Sequence, residues 1–137
     1  MANILATQMT KLAAGTPPAP GFVDGGVKVF NESVTLAAQA DGDTIEVGRL
    51  PKGAIPLFGL IETDTSLGTA TVAVGTSGTP AKYKAAAVFT AVATPTMFGA
   101  GGVGEALAAE ETVIVTVGVA ALPASGTFRV MLFYAFD

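Results

Sequence analysis

The chain has 137 residues, half of them hydrophobic and 13% charged, with 7 basic against 11 acidic side chains, 17 Gly, 8 Pro and no Cys, His or Trp. Without Cys or His, the residues rule out disulfides, iron–sulfur clusters, thiolate nucleophiles, an imidazole base and His-ligated zinc or haem. The length suits one domain, or one domain plus an arm, and the dispersed cations give no footprint for nucleic acid.

Residues 1–25 read as an N-terminal arm. Ile4, Leu5, Met9 and Leu12 fall near helical spacing in a short, uncapped stripe. Pro17, Pro18 and Pro20 then force an extended segment that cannot donate to a ladder. One reading is a frayed terminus; the other is a segment whose apolar side chains lie on a partner surface. Lys11 follows the apolar residues instead of preceding them, so no export signal is expected. No run approaches the roughly 18 apolar residues of a membrane helix, so no membrane span is expected.

From Gly26 to residue 137 the pattern is β. Val27–Phe30 and Val34–Leu36 are short alternating stretches, and Thr44–Leu50 alternates clearly, with Ile45 and Val47 opposite Thr44 and Glu46. Leu50-Pro-Lys-Gly-Ala54 is a turn in which Gly53 can take a positive φ. Ile55–Glu62 is a nearly continuous apolar strand, and Pro56 argues for an edge or an irregular start. Thr69–Val74 is a strand closed by a Gly/Thr/Pro turn, and Lys82–Val92 suits either a helix or a strand. After the glycines at 99–104, Glu105–Ala109 has room for one helical turn. Thr112–Val117 and Thr127–Phe136 are the strongest strands. About seven or eight short antiparallel strands between Gly/Pro turns predict an all-β domain, a β-sandwich or jelly roll.

The last strand carries the most specific expectation. Phe128, Val130, Leu132, Tyr134 and Phe136 share one face; Arg129, Met131, Phe133 and Ala135 share the other. A sandwich strand needs only one apolar face, because the outer one ordinarily meets water. Either the chain's own loops or a neighbouring subunit covers the outer face; with so few charges in the chain, the neighbouring subunit is the one expected. Arg129, Met131 and Phe133 are its self-association residues.

The motifs that point to chemistry each have a plainer explanation. Gly99-Ala-Gly-Gly-Val-Gly104 spells G-x-G-x-x-G, but a dinucleotide site also needs a substantial helix after it and an acid about 20 positions on. Neither is present, so a flexible loop is expected. Asp41-Gly-Asp43 offers two oxygens where calcium needs about six to eight, and reads as a turn. Glu62 and Asp64 have the spacing of an acid–base pair, Ser77 and Lys82 that of a nucleophile and an amine. Nothing else converges on either pair. Asn31-Glu-Ser33 is a glycosylation pattern without an export signal. No catalytic residue, metal site or cofactor is expected, and the protein is read as not an enzyme.

The order Ala40-Asp-Gly-Asp-Thr-Ile-Glu-Val-Gly-Arg-Leu-Pro-Lys-Gly-Ala54, an apolar strand, Leu67-Gly-Thr-Ala-Thr-Val-Ala-Val-Gly-Thr-Ser-Gly78 and a final aromatic strand resembles the capsid decoration, or cement, proteins of tailed bacteriophages. The resemblance spans roughly residues 26–137 and rests on turns; Thr79-Pro80 departs from it where an acid is expected. It implies a β-rich protein on the outer surface of the virion, assembled in the host cytoplasm. Such a protein binds the major capsid protein and bridges neighbouring capsomers as a dimer or trimer. On that reading Ile4, Leu5, Met9 and Leu12 lie on the capsid. Two other readings are a tail- or fibre-associated β domain and, more remotely, a carbohydrate-binding sandwich whose aromatic platform would draw on Tyr83 and Tyr134.

Overall fold

The structure, a computed structural model, describes residues 13–16, 26–99 and 104–136. Eight strands run in chain order: β1 (Lys28–Thr35), β2 (Thr44–Leu50), β3 (Ala54–Thr63), β4 (Thr71–Gly75), β5 (Lys84–Val88), β6 (Thr96–Phe98), β7 (Glu111–Gly118) and β8 (Thr127–Phe136). They form two four-stranded antiparallel sheets, β1-β8-β3-β6 (sheet A) and β2-β7-β4-β5 (sheet B). The chain changes sheet at every connection except β4–β5 and β5 alone of the later strands stays beside its predecessor, which is the connectivity of a jelly roll.

The core lies between the sheets and is built by alternation. Phe128, Val130 and Leu132 of β8, Val113, Val115 and Val117 of β7, and Val72 and Val74 of β4 point inward and are all buried. Each such side chain contributes about 1.5–3 kcal/mol by leaving water. The inward face of β8 is the one the sequence predicts. Tyr134 and Phe136 continue it at the rim, half-buried against the core, with their rings edge to face at 5.9 Å.

Several elements differ from the sequence expectation. Val27–Phe30 and Val34–Leu36 belong to a single strand, because Asn31, Glu32 and Ser33 keep register with β8 across the polar stretch. Lys82–Val92 resolves to strand β5 over its middle, and β6 is a short strand that alternation alone does not announce. Glu105–Ala109 makes no helical turn. Leu107 instead bonds the β2–β3 turn, giving its N–H to Ala54 and accepting from Gly53, and packs against the core.

Pro56 does not put β3 at an edge; β3 lies between β8 and β6. The Pro56 carbonyl accepts from the Gly104 N–H at 2.7 Å. In an antiparallel strand the N–H and C=O of one residue point the same way, so the donor that proline lacks faces away from β8. A bulge at Leu57 then restores pairing at Phe58. The β2–β3 turn is as read: Gly53 has φ +87°, and Ala54 N–H reaches the Pro51 carbonyl at 3.1 Å.

Gly59 is required by a close approach rather than by its φ. A Cβ there would lie 2.2 Å from the Phe98 ring and 2.6 Å from the Met131 carbonyl oxygen. Phe98 thereby fills the core over the β3 backbone. Gly59→Ala is expected to lower stability by about 2–3 kcal/mol, read from the urea midpoint, because the backbone oxygen cannot yield.

Candidate interaction surface

The register of sheet A fixes which side chains share its outer face. Across the sheet, Val29, Phe133 and Phe58 stand in one row, and Asn31, Met131, Leu60 and Met97 in the next. Ser33, Arg129 and Glu62 form a third, polar row. The first two rows make an apolar patch drawn from all four strands of the sheet. Phe58 stacks on Phe133 with centroids 4.6 Å apart and planes 12° from parallel. Val29 is 47% and Met97 68% exposed, while Phe58, Leu60, Met131 and Phe133 are half-buried by one another.

The expected self-association residues are thus side by side on one face, with Met131 and Phe133 central and exposed Arg129 at the polar border. Ala135 differs: it pairs with Ile55, and both are buried outside the main core cluster, at 2% and 1% exposure. Sequence reasoning missed Phe58, Leu60, Met97 and Val29. Each lies on a strand whose partner and register only the fold supplies. The four arm residues Ile4, Leu5, Met9 and Leu12 lie outside the described residues.

Sheet B has a different exterior. Thr71, Ala73, Thr112, Ile114 and Thr116 line its middle, and Glu46 and Arg49 form an exposed ion pair at 2.8 Å. The half-exposed Thr71 and Thr112 and the solvated ion pair suit water, whereas Ala73 and the Thr116 hydroxyl, unpartnered among the described residues, are buried and Val88, opposite Thr71, is exposed. Sheet A differs in carrying a contiguous aromatic and apolar patch across all four strands, and so has the more to gain by being covered.

The candidate chemical groups are occupied locally. Glu62 and Asp64 do border one shallow dent of about 110 Å³ with Thr127 and Arg129. Asp64, however, accepts the Thr127 N–H at 2.8 Å and the Thr65 hydroxyl at 2.9 Å. These bonds hold its carboxyl below the ordinary value, the Thr127 amide contributing most, so it is a poor proton donor near neutrality. Arg129 Nε reaches Ser33 Oγ at 3.3 Å. Asp43 accepts the Ala40 N–H at 2.8 Å within a turn whose Gly42 has φ +92°, so Asp41-Gly-Asp43 is a turn entering β2. Most of the 99–104 glycine segment lies outside the described residues.

Lys82 is paired with Glu111 at 2.5 Å rather than with Ser77. The other Glu111 oxygen accepts the hydroxyl of fully buried Tyr83. This cluster clamps the start of β5 onto β7, and no sequence signal joins residues that far apart. Burial first, and then the Glu111 bond and charge, push the Tyr83 hydroxyl far above the ordinary tyrosine value. Tyr83 is therefore no sugar platform, and Tyr134 is half-buried on the core.

No family model and no curated protein matches this chain. Solved structures do. A chain of the cyanophage Pam1 capsid asymmetric unit matches 100% of this chain and 95% of its own length, at 25% identity and a TM-score of 0.70. A chain of the Ralstonia phage GP4 capsid matches 89% of this chain and 90% of its own length, at 25% identity and a TM-score of 0.62. A chain of the acidic stable capsid of Helicobacter pylori bacteriophage KHP30, 15% identical with a TM-score of 0.61, shares the fold over 80% of this chain and 87% of its own length. Over 89–100% of its length in the first two comparisons, this protein is similar to chains of phage capsids, in line with the phage resemblance its turns carry.

Proposed function

We propose that this protein is a non-enzymatic structural protein of a phage virion, a decoration or cement protein. It binds the outside of the major capsid shell and bridges neighbouring capsomers. The observation that supports this reading is the match between this chain and a chain of a phage capsid asymmetric unit over 100% of one and 95% of the other. A single jelly roll of this size suits an accessory subunit.

The mechanism is mass action. A protein that binds only the assembled shell stabilises it by about 2.7 kcal/mol per site at a hundredfold excess over its dissociation constant. Repetition over a lattice, with each subunit touching more than one capsomer, multiplies modest contacts. The outer face of sheet A, centred on Met131 and Phe133 with Arg129 at its border, is where neighbouring copies of this chain associate on the shell, so binding to the shell depends on it through the mutual support of those copies. The arm, through Ile4, Leu5, Met9 and Leu12, lies on the shell.

Removal of residues 1–20 tests the arm. The truncated protein is expected to keep its melting temperature and to bind undecorated capsid shells at least about tenfold more weakly, the burial of even one such side chain being worth that much. Quantitative co-sedimentation measures this, and full binding by the truncated chain would contradict the arm's role.

A further inference from the structure

Among the described residues the two sheets leave four strand edges, and three are blunted in the way that prevents edge-to-edge pairing. β2 bulges at Val47, β5 has five residues and an irregular register with β4, and β6 has three residues. β1 is different. It runs eight residues in unbroken register with β8 and contains neither proline nor bulge.

Its hydrogen-bonding parity can be worked out. Leu36 N–H bonds the Gly126 carbonyl at 2.9 Å, continuing the β1–β8 register, so the even-numbered residues 28–34 exchange bonds with β8. The odd-numbered residues point their N–H and C=O groups off the sheet. Two side chains agree with this: Glu32 accepts the outward Ser33 N–H at 3.2 Å, and Gln39 donates to the outward Thr35 carbonyl at 2.9 Å. Among the described residues, nothing takes up the outward groups of Val29 and Asn31.

We propose that two copies of this chain join through their β1 edges, antiparallel about a two-fold axis at Phe30. The occupant is a second copy because the edge is complementary to itself in charge. With the axis at Phe30, Lys28 of each copy stands opposite the partner's Glu32, so the pair forms twice. These are positions between the exchanged bonds, where facing side chains approach most closely. Parity is also met, since Val29 then exchanges both backbone bonds with the partner's Asn31. An axis at Asn31 keeps parity but sets Glu32 against Phe30, and an axis at Val29 sets Lys28 against Phe30. Only the Phe30 register pairs the charges.

The result is one eight-stranded sheet whose two outer faces are continuous, with Val29 of each copy at the seam. Met131 and Phe133 then flank the seam, and the joined apolar face remains open to a further partner. This pairing concerns the free protein and does not depend on the capsid assignment.

The experiment is the solution mass of the full chain across a concentration series, by light scattering and sedimentation equilibrium, with fold checked by circular dichroism. The wild type is expected to be a dimer. Glu32→Lys places lysine opposite lysine twice and weakens association by about tenfold or more. The double variant K28E/E32K restores it, since the same two charges then face each other exchanged. Asn31→Pro removes an outward N–H that β8 does not use and is expected to give a folded monomer. A monomeric or trimeric wild type, a charge swap that fails to rescue a folded Glu32→Lys protein, or a dimer that survives Asn31→Pro would each overturn the proposal.

Discussion

Met131→Glu and Phe133→Ser, each made alone, are expected to leave a folded protein that binds capsid shells at least about 100-fold more weakly. Both side chains stand on the outer face of β8, between Asn31 and Leu60 in one row and Val29 and Phe58 in the next. Neither belongs to the cluster that packs between the sheets. Glutamate at position 131 would have to leave water without a partner when a subunit covers the face. Serine at position 133 removes the phenyl ring that a covering subunit would bury; the lost stack on Phe58, worth about 0.5–1.5 kcal/mol, lies within the chain and lowers the melting temperature, not the affinity. Co-sedimentation gives the affinity and a thermal melt the fold. Undiminished binding by both folded variants would show that this face is not the covered one.

Glu111→Ala is expected to cost about 2–4 kcal/mol of stability, among the largest single effects in the chain. It strands the buried Tyr83 hydroxyl without an acceptor and leaves the Lys82 ammonium, whose side chain is 23% exposed, without its counter-charge. The residual exposure of both ends of the pair keeps the figure below that of a fully buried one. Tyr83→Phe is milder, about 1–2 kcal/mol, because Lys82 still satisfies the carboxylate.

The same cluster sets an alkaline limit. Burial and Glu111 raise the Tyr83 hydroxyl in the folded state, whereas in the unfolded chain it titrates near 10. Below that value both states hold the proton and this group contributes no slope. Above it the unfolded state loses a proton that the folded state keeps, so stability falls with rising pH, at up to about 1.4 kcal/mol per unit. Urea midpoints between about pH 8 and pH 11 measure this. Tyr83→Phe is expected to flatten the alkaline part of the profile relative to wild type, and an unchanged slope would contradict the buried, protonated hydroxyl.

What was legible in the sequence is what depends on neighbours a few residues apart. The alternation of Phe128, Val130 and Leu132 against Arg129, Met131 and Phe133 fixes the two faces of β8 without reference to any other strand. The Pro51–Ala54 and Asp41–Asp43 turns are likewise local, their φ preferences and side-chain bonds lying within a few positions. Pairing order is not local. Nothing in the one-dimensional pattern sets Leu60 between Met131 and Met97, brings Glu111 to Tyr83, or requires the missing Cβ of Gly59 beneath Phe98. The apolar exterior was therefore visible as one strand's outer row, while its extent over sheet A follows from topology. Pro56 marks the irregular start of β3, a bulge at Leu57, and not an edge, for a related reason: its lost donor matters only on the side facing a paired strand, and β3 turns that side away from β8.

The central claim is that the working form of this protein is one piece of a shell. Electron cryomicroscopy of capsids assembled without the chain, before and after adding it, tests that most directly. The account predicts new jelly-roll density repeated over the outside of the head, between capsomers, with the outer face of sheet A covered. Density at a single vertex or along the tail, or capsids that bind none of a correctly folded sample, would contradict it.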